Sequence, residues 1–271
     1  MVRLIRIIVF LISILIILAS DVYIFDGYIS DDTTDINSNI NVKHIKLSTP
    51  ARNETLHGIL TTISSASSIS HVFMGEDDHC DRKQTSKRAK ELDCLFAING
   101  GPFDMNTGAC MGTVVSNDVI IQVNDTAGFA SFGVSKTNNK LVFGDITSTI
   151  IKDNNLSEVI SGFIGPLLIA NNQVIESGST LIAQRQAIGI DKDGRILFLT
   201  VDGAESQDRG MTINELGQHF LDLGAITALN LDGGGSTSTF YNGETINHTT
   251  CADYLIPNCE RKVSNIICIK Q

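Results

Sequence analysis

The stretch "ALNLDGGGSTSTFYNG", Ala228 to Gly243, sets the reading of the whole chain. A short apolar run ends in Asp232, three glycines follow (Gly233, Gly234, Gly235), then four hydroxyl residues and a second apolar run closed by Asn242-Gly243. Glycine in regular structure costs roughly 0.5–1 kcal/mol of backbone entropy, so three in a row require a sharp turn or a backbone that comes close to a ligand. Asn-Gly after an apolar run is a hairpin signal. The stretch therefore predicts a strand, a tight turn carrying a carboxylate, and a strand hairpin.

Outward from it, the same grammar repeats. "QAIGIDKDGRILFLTVDG" (Gln186 to Gly203) has two apolar runs around Asp193-Gly194, and "PLLIANNQVIES" (Pro166 to Ser177) has two around Asn171-Asn172. Helical signals are fewer. "SKRAKELD" (Ser86 to Asp93) reads as a surface helix leading into the strand "CLFAIN". In "TINELGQHFLDLGA" (Thr212 to Ala225), Leu216, Phe220 and Leu223 fall on one face, Gly224 is a natural stop, and Thr212 with Glu215 makes a capping box. The pattern predicts an α+β fold: a single domain with a mostly antiparallel or mixed sheet, few helices and disulfide stabilisation.

The chain has 271 residues, 42% of them hydrophobic, and a formal net charge of −10. That is enough apolar residue for a proper core, and it argues against a nucleic-acid surface while leaving room for a local basic pocket. At the N-terminus, "MVRLIR" precedes Ile7 to Ala19, apolar except for Ser13. This run is short for a spanning helix, which needs about 20 residues, and fits the apolar core of a secretory signal. Ile17 and Leu18 suit a small-x-small cleavage site poorly, so residues 1–20 read as a signal peptide or a signal anchor. Residues 21–45, rich in Asp, Asn, Ser and Thr, read as a loose leader, and 46–271 as the domain.

Cysteine usage agrees with an oxidising compartment. Cys80, Cys94, Cys110, Cys251, Cys259 and Cys268 form no C-x-x-C pair, which suits disulfides better than zinc. Six cysteines allow about 15 pairings, and the sequence does not choose among them. Sequons at Asn53, Asn124, Asn155 and Asn247 are candidate glycan acceptors. His44, His57, His71, His79, His219 and His248 show no metal-binding spacing, so neither a metal nor a cofactor is expected.

Three apolar runs end in a polar side chain followed by glycine: Asn99 before Gly100-Gly101, Asp202 before Gly203, and Asp232 before Gly233. Gathered at one sheet edge, these ends build an acidic pocket lined by close-approaching backbone, whose N–H groups can face an anion.

The motifs "NGGPFDMNTGACMGTVVS", "RQAIGID", "VDGAESQDRGMTINEL" and "ALNLDGGGSTSTF" resemble, in order, those of the phosphodiester glycosidase family, over the span from Cys80 to Cys268. The resemblance implies hydrolysis of the bond between a sugar's anomeric carbon and a phosphate whose other ester holds mannose. The implied substrate is N-acetylglucosamine-α-phosphate-mannose on phosphorylated high-mannose glycoproteins, uncovering mannose 6-phosphate. A related sugar phosphodiester, or anionic-sugar binding without catalysis, are the alternatives. The implied location is the lumen of the secretory pathway (Golgi) or outside the cell. An N-terminal membrane anchor and homo-oligomerisation stay open.

Hydrolysis at an anomeric carbon passes through a cation-like transition state that a carboxylate stabilises or attacks. Asp232 is the first candidate, as nucleophile or as base for water, and Asp202 is the second. A phosphate leaving group needs charge neutralisation more than a strong acid, which points to Arg185 and Arg209 as clamps and to backbone donors at Gly100, Gly101, Gly233, Gly234 and Gly235. Ser236 adds a hydroxyl, and Asn99 and Asn230 are placed to hold sugar hydroxyls or orient the carboxylates. The resemblance also favours Cys251–Cys259, Cys80–Cys110 and Cys94–Cys268 as disulfides. One departure stands out: the family usually has two aromatic residues after Asn-Gly-Gly, and this chain has Pro102 and then Phe103. The EGF-like segment, membrane span and cytoplasmic tail of mammalian family members have no counterpart in these 271 residues.

Overall fold

Turn chemistry organises the chain into hairpins. In the computed structural model, which describes residues 22–27, 40–64, 69–73, 75–76, 79–80, 82–126, 128–163, 165, 167–251 and 259–270, all three expected hairpins form. Asn171 and Asn172 both take positive φ between Ile169–Ala170 and Gln173–Val174, as do Asn242 and Gly243 between Thr239–Tyr241 and Glu244–Thr245. Two successive left-handed residues match the twist of the flanking strands, which is why Asn and Gly occupy these positions. Gly194 turns the chain between Arg185–Asp191 and Ile196–Val201.

Every pair of strands among the described residues is antiparallel, and three large sheets carry the fold. A seven-stranded sheet runs, in spatial order, Gln173–Val174, Ile169–Ala170, Ala225–Asn230, Arg185–Asp191, Ile196–Val201, Glu54–Ile63 and Ile40–Thr49. A five-stranded sheet runs Glu244–Thr245, Thr239–Tyr241, Cys94–Asn99, Asn265–Lys270 and Ile69–Phe73. A six-stranded sheet comprises Val22–Asp26, Lys140–Gly144, Ser131–Ser135, Glu158–Ser161, Val114–Ser116 and Val119–Gln122. Their facing side chains, among them Phe96, Phe132, Phe143, Phe198, Ile188 and Ile267, form one buried cluster.

Three helices are described: α1 (Thr85–Glu91), α2 (Ser148–Asn154) and α3 (Ile213–Asp222). Helix α3 buries Leu216 and Phe220 against Ala187, Ala225 and Ala228, small residues that let it lie close on the seven-stranded sheet. Its capping box is present, and Glu215 also accepts from Arg52 Nη1 at 2.8 Å. Helix α2 is absent from the sequence reading because it is seven residues long and buries only Ile151.

The reading of residues 21–45 as a loose leader needs correction at both ends. Val22–Asp26 pairs with Lys140–Gly144, and Ile40 opens a ten-residue strand paired with Glu54–Ile63. The polar composition of the whole stretch masks two short β-prone runs, whose Tyr23, Phe25 and Val42 pack on the main core. Residues 1–20, and with them the signal segment, lie outside the described residues. Among the described residues no helix is long and apolar enough to cross a membrane.

Two of the expected disulfides are formed, Cys94–Cys268 and Cys251–Cys259. The first closes a loop with a sequence separation of 174. By chain-entropy reasoning such a crosslink contributes on the order of 5 kcal/mol. The Cys80 side chain lies outside the described residues, and with it the Cys80–Cys110 pairing.

Candidate active site

The strand ends Asn99, Val201 and Asn230 and the strand start Arg185 meet at one edge, through the registers Arg185↔Val201 and Ala187↔Asn230. The glycine turn stitches the five-stranded sheet to the seven-stranded one. Asp232 N–H donates to Gly100 O at 3.1 Å, and Gly234 N–H donates to Gln184 O at 2.9 Å. Asn99 locks the turn from below: its Nδ2 donates to Asp232 O at 2.9 Å and its Oδ1 accepts from Ser238 N–H at 2.9 Å. Asn99 is thus a fully buried positioning residue for Asp232.

Gly234 is the residue the turn demands. Its φ is +54°, and a Cβ there would lie 2.7 Å from Glu205 Oε2. Gly233 passes so close to the neighbouring strand that a Cβ would sit 2.8 Å from Gln184 O. Gly234, Gly235 and Ser236 form a single 3-10 turn, buried throughout. Gly100 and Gly101 serve packing: Gly101 N–H donates to Asn265 Oδ1 at 2.8 Å, and both glycines are buried. Pro102 is buried too, and its carbonyl accepts from Met111 N–H at 3.0 Å in a loop closed by the Phe103–Cys110 bridge.

Asp232 is half-buried on this turn. Burial pushes its carboxyl up from 3.8 to about 6, against the lowering influence of Ser236, the Arg261 guanidinium and the Gly233 N–H, and with a smaller upward push from Glu205. It is therefore a carboxylate held near neutrality, as acid–base and nucleophilic chemistry at moderate pH requires.

Arg185 is 7% exposed, and its Nε donates to Met211 O at 2.9 Å while Nη2 donates to Leu181 O. Neither partner is charged. Desolvation lowers its pKa from the usual arginine value, partly offset by nearby Glu205. A buried guanidinium oriented by neutral carbonyls, with no carboxylate in salt-bridge range among the described residues, is equipped to meet an incoming anion.

Two candidates go elsewhere. Asp202 is engaged by His57, Nδ1 to Oδ2 at 2.7 Å, and by the His248 N–H at 3.0 Å. It ties Glu54–Ile63 to the loop after Glu244–Thr245, and His57 in turn contacts His44 Nδ1 at 2.9 Å. Arg209 points outward to Glu54 at 3.2 Å, with its side chain 56% exposed, so only its main chain braces the site loop through the Ala204–Arg209 bridge. A single glycine between Arg209 and the buried Met211 does not reveal which way the side chain turns.

Asn230 stays at the site. It is 8% exposed, and its Oδ1 has no hydrogen-bond partner among the described residues. Because Asn230 is in register with Ala187, it shares a sheet face with Arg185 two residues away. Asn53 and Asn155 are exposed and Asn124 is half-buried. Asn247 is different: its Oδ1 accepts from Thr239 N–H at 2.7 Å and its Nδ2 donates to Thr237 O at 3.1 Å.

The structure adds two residues that sequence reading missed. Arg261 reaches Ser236 Oγ with Nη1 at 3.3 Å and bears electrostatically on Asp232. Glu205 stands over Gly234. Glu205 is hidden in a loop of mixed polar residues, and Arg261 was separated in sequence from every glycine motif. Its one signal was the two cysteines that flank it, Cys259 and Cys268, each of which anchors the segment through a separate disulfide.

At this edge a half-buried carboxylate, a glycine turn, the buried Arg185 and the half-buried Arg261 come together on a β-rich domain. The chain belongs to the phosphodiester glycosidase family, whose model matches residues 93–270. It is 30% identical over 210 residues to human N-acetylglucosamine-1-phosphodiester alpha-N-acetylglucosaminidase, covering 70% of this chain and 40% of that protein. The bovine enzyme of that name is likewise 30% identical over 210 residues, 39% of its length. The chain thus spans about 40% of the length of these relatives. In fold it is similar to the zebrafish catalytic domain of that name, described as auto-inhibited by its pro-peptide. The TM-score is 0.80 at 24% identity, over 93% of this chain and 89% of that one.

Proposed function

We propose that the protein hydrolyses the bond between an anomeric carbon and a phosphate diester, with N-acetylglucosamine-α-phosphate-mannose on glycoprotein glycans as substrate and exposed mannose 6-phosphate as product. The observation that carries this reading is the pairing of Asp232, whose carboxyl burial raises to about 6, with the buried Arg185 beside the glycine turn, which has no salt-bridge partner among the described residues. The human and bovine relatives, named for this activity, support it. The secretory lumen is the compartment in which such a substrate and the two disulfides coexist.

In this mechanism the phosphate oxygens accept from Arg185 and Arg261, which draw electron density from the scissile bond. The bond from the anomeric carbon to the phosphate oxygen breaks, and its electron pair leaves with the phosphate. Ionised Asp232 acts at the anomeric carbon as it becomes cationic, either as nucleophile, forming a glycosyl ester that water then hydrolyses to free the carboxylate, or by taking a proton from the water that adds there. The products are a reducing sugar and a phosphate monoester. Asn99 holds the Asp232 backbone, and Asp202 with His57 holds the neighbouring loop.

The test is incubation of the full chain with N-acetylglucosamine-α-phosphate-mannose, assaying free N-acetylglucosamine and mannose 6-phosphate separately. Release of both by the wild-type protein, lost in Asp232→Asn and reduced less than about tenfold in Asp202→Asn, is the expected result. Free mannose with N-acetylglucosamine 1-phosphate would place the cut on the other side of the phosphate and refute the reading.

A further inference from the structure

A second carboxylate besides Asp232, that of Glu205, faces the glycine turn. It lies at the start of the loop Ala204–Arg209, whose Ser206, Gln207, Asp208 and Arg209 are all exposed while Glu205 itself turns inward. Its Oε2 lies close enough to Gly234 that any side chain there would collide with it. Its charge acts on both Arg185 and Asp232. Among the described residues its carboxylate has neither a hydrogen bond nor an ion pair.

The polar inventory around the glycine turn is divided. Arg185 and Arg261 are donors, matched to phosphate oxygens, which only accept. Donors alone would admit any phosphate ester. Selecting a sugar requires acceptors for hydroxyl or amide protons, and unfilled acceptors stand at this edge, Glu205 and the buried Asn230 Oδ1 among them. Leaving a buried carbonyl oxygen without a donor costs roughly 1–3 kcal/mol, a penalty that a ligand's hydroxyl would remove.

We propose that Glu205 is the specificity-determining residue of the site: its carboxylate accepts hydrogen bonds from the sugar's hydroxyl or acetamido N–H groups, while its charge weakens the hold of Arg185 on free phosphate. The residue therefore selects a sugar phosphodiester over a bare phosphate. This deepens the proposed function and rests on the same pocket, and its test is a binding measurement independent of turnover.

N-acetylglucosamine and inorganic phosphate are titrated separately into the wild-type full chain and into Glu205→Gln, with affinity read by ligand-observed NMR. Glu205→Gln keeps the side-chain shape and removes the charge. The expected result is a change of opposite sign for the two probes: about tenfold weaker N-acetylglucosamine, the size of a lost charge-assisted hydrogen bond, and tighter phosphate. Circular dichroism and Tm matching those of the wild type establish that the variant is folded. Equal affinities in the two proteins, loss of both probes, or failure of the wild-type chain to bind either probe would overturn the assignment. If the diester assay fails while the opposed shifts appear, the proposed reaction is wrong and the role of Glu205 in ligand selection stands.

Discussion

Replacing Asp232 by Asn is expected to make the protein more stable at neutral pH while abolishing hydrolysis. The carboxyl is raised from 3.8 to about 6, chiefly by burial. An acid with a raised pKa favours the folded state when protonated. The folded protein gains that stability fully below the unfolded pKa near 4 and loses it as pH rises through about 6. Above that, the ionised group costs about 3 kcal/mol, from roughly two pH units at about 1.4 kcal/mol each. The lost attraction to Arg261 and partial solvent contact reduce the net gain in the Asn variant to about 1–3 kcal/mol. For a domain of this size that is a rise in Tm of roughly 2–10 °C. Differential scanning calorimetry at several pH values between 3.5 and 8 is the assay. The variant's advantage grows from near zero at the acid end to a plateau above pH 7. An Asn variant less stable than wild type at pH 8, or an advantage independent of pH, would refute the reasoning about burial. The same titration sets the acid limb of kcat/KM near pH 6.

Arg185→Met keeps the fold but removes the guanidinium: KM for the diester rises by about a hundredfold, and inhibition by inorganic phosphate disappears. Measuring both in steady state checks the clamp, and unchanged phosphate inhibition would exclude Arg185 from it. In chain secreted from eukaryotic cells, peptide mass spectrometry finds glycans at exposed Asn53 and Asn155. Asn247 stays unmodified, because its Nδ2 is committed to Thr237 O inside the fold.

What the sequence made legible was whatever local chemistry dictates. Asn171-Asn172, Asn242-Gly243 and Asp193-Gly194 specify their turns without outside help, and Thr212 and Glu215 cap α3 from within their own segment. The turn at Asp232 was legible for the same reason. What stayed hidden depends on where separate segments point their side chains. Asp202 and Arg209 flank the same short loop as Glu205, yet Asp202 is taken by His57 from a strand about 145 positions away, Arg209 by Glu54, and Glu205 faces the glycine turn. No pattern within "VDGAESQDRG" distinguishes the three. The strands at Val22–Asp26 and Ile40–Ile45 were missed because their sheet partners, not their composition, decide them.

The strand Asn265–Lys270 lies inside the five-stranded sheet, between Cys94–Asn99 and Ile69–Phe73, and the residues just before it deliver Arg261 and the Glu260 carboxylate that holds both Ser86 and Ser238. During synthesis, the chain up to residue 258 has the glycine turn but neither this inner strand nor Arg261. The sheet closes only once residue 270 has emerged, across long sequence separations that make such closure slow. Until then the earlier strands of the nascent chain wait with open edges for a late partner. Loss of a dozen residues from this segment would remove an inner strand and the arginine that bears on Asp232 in a single cut.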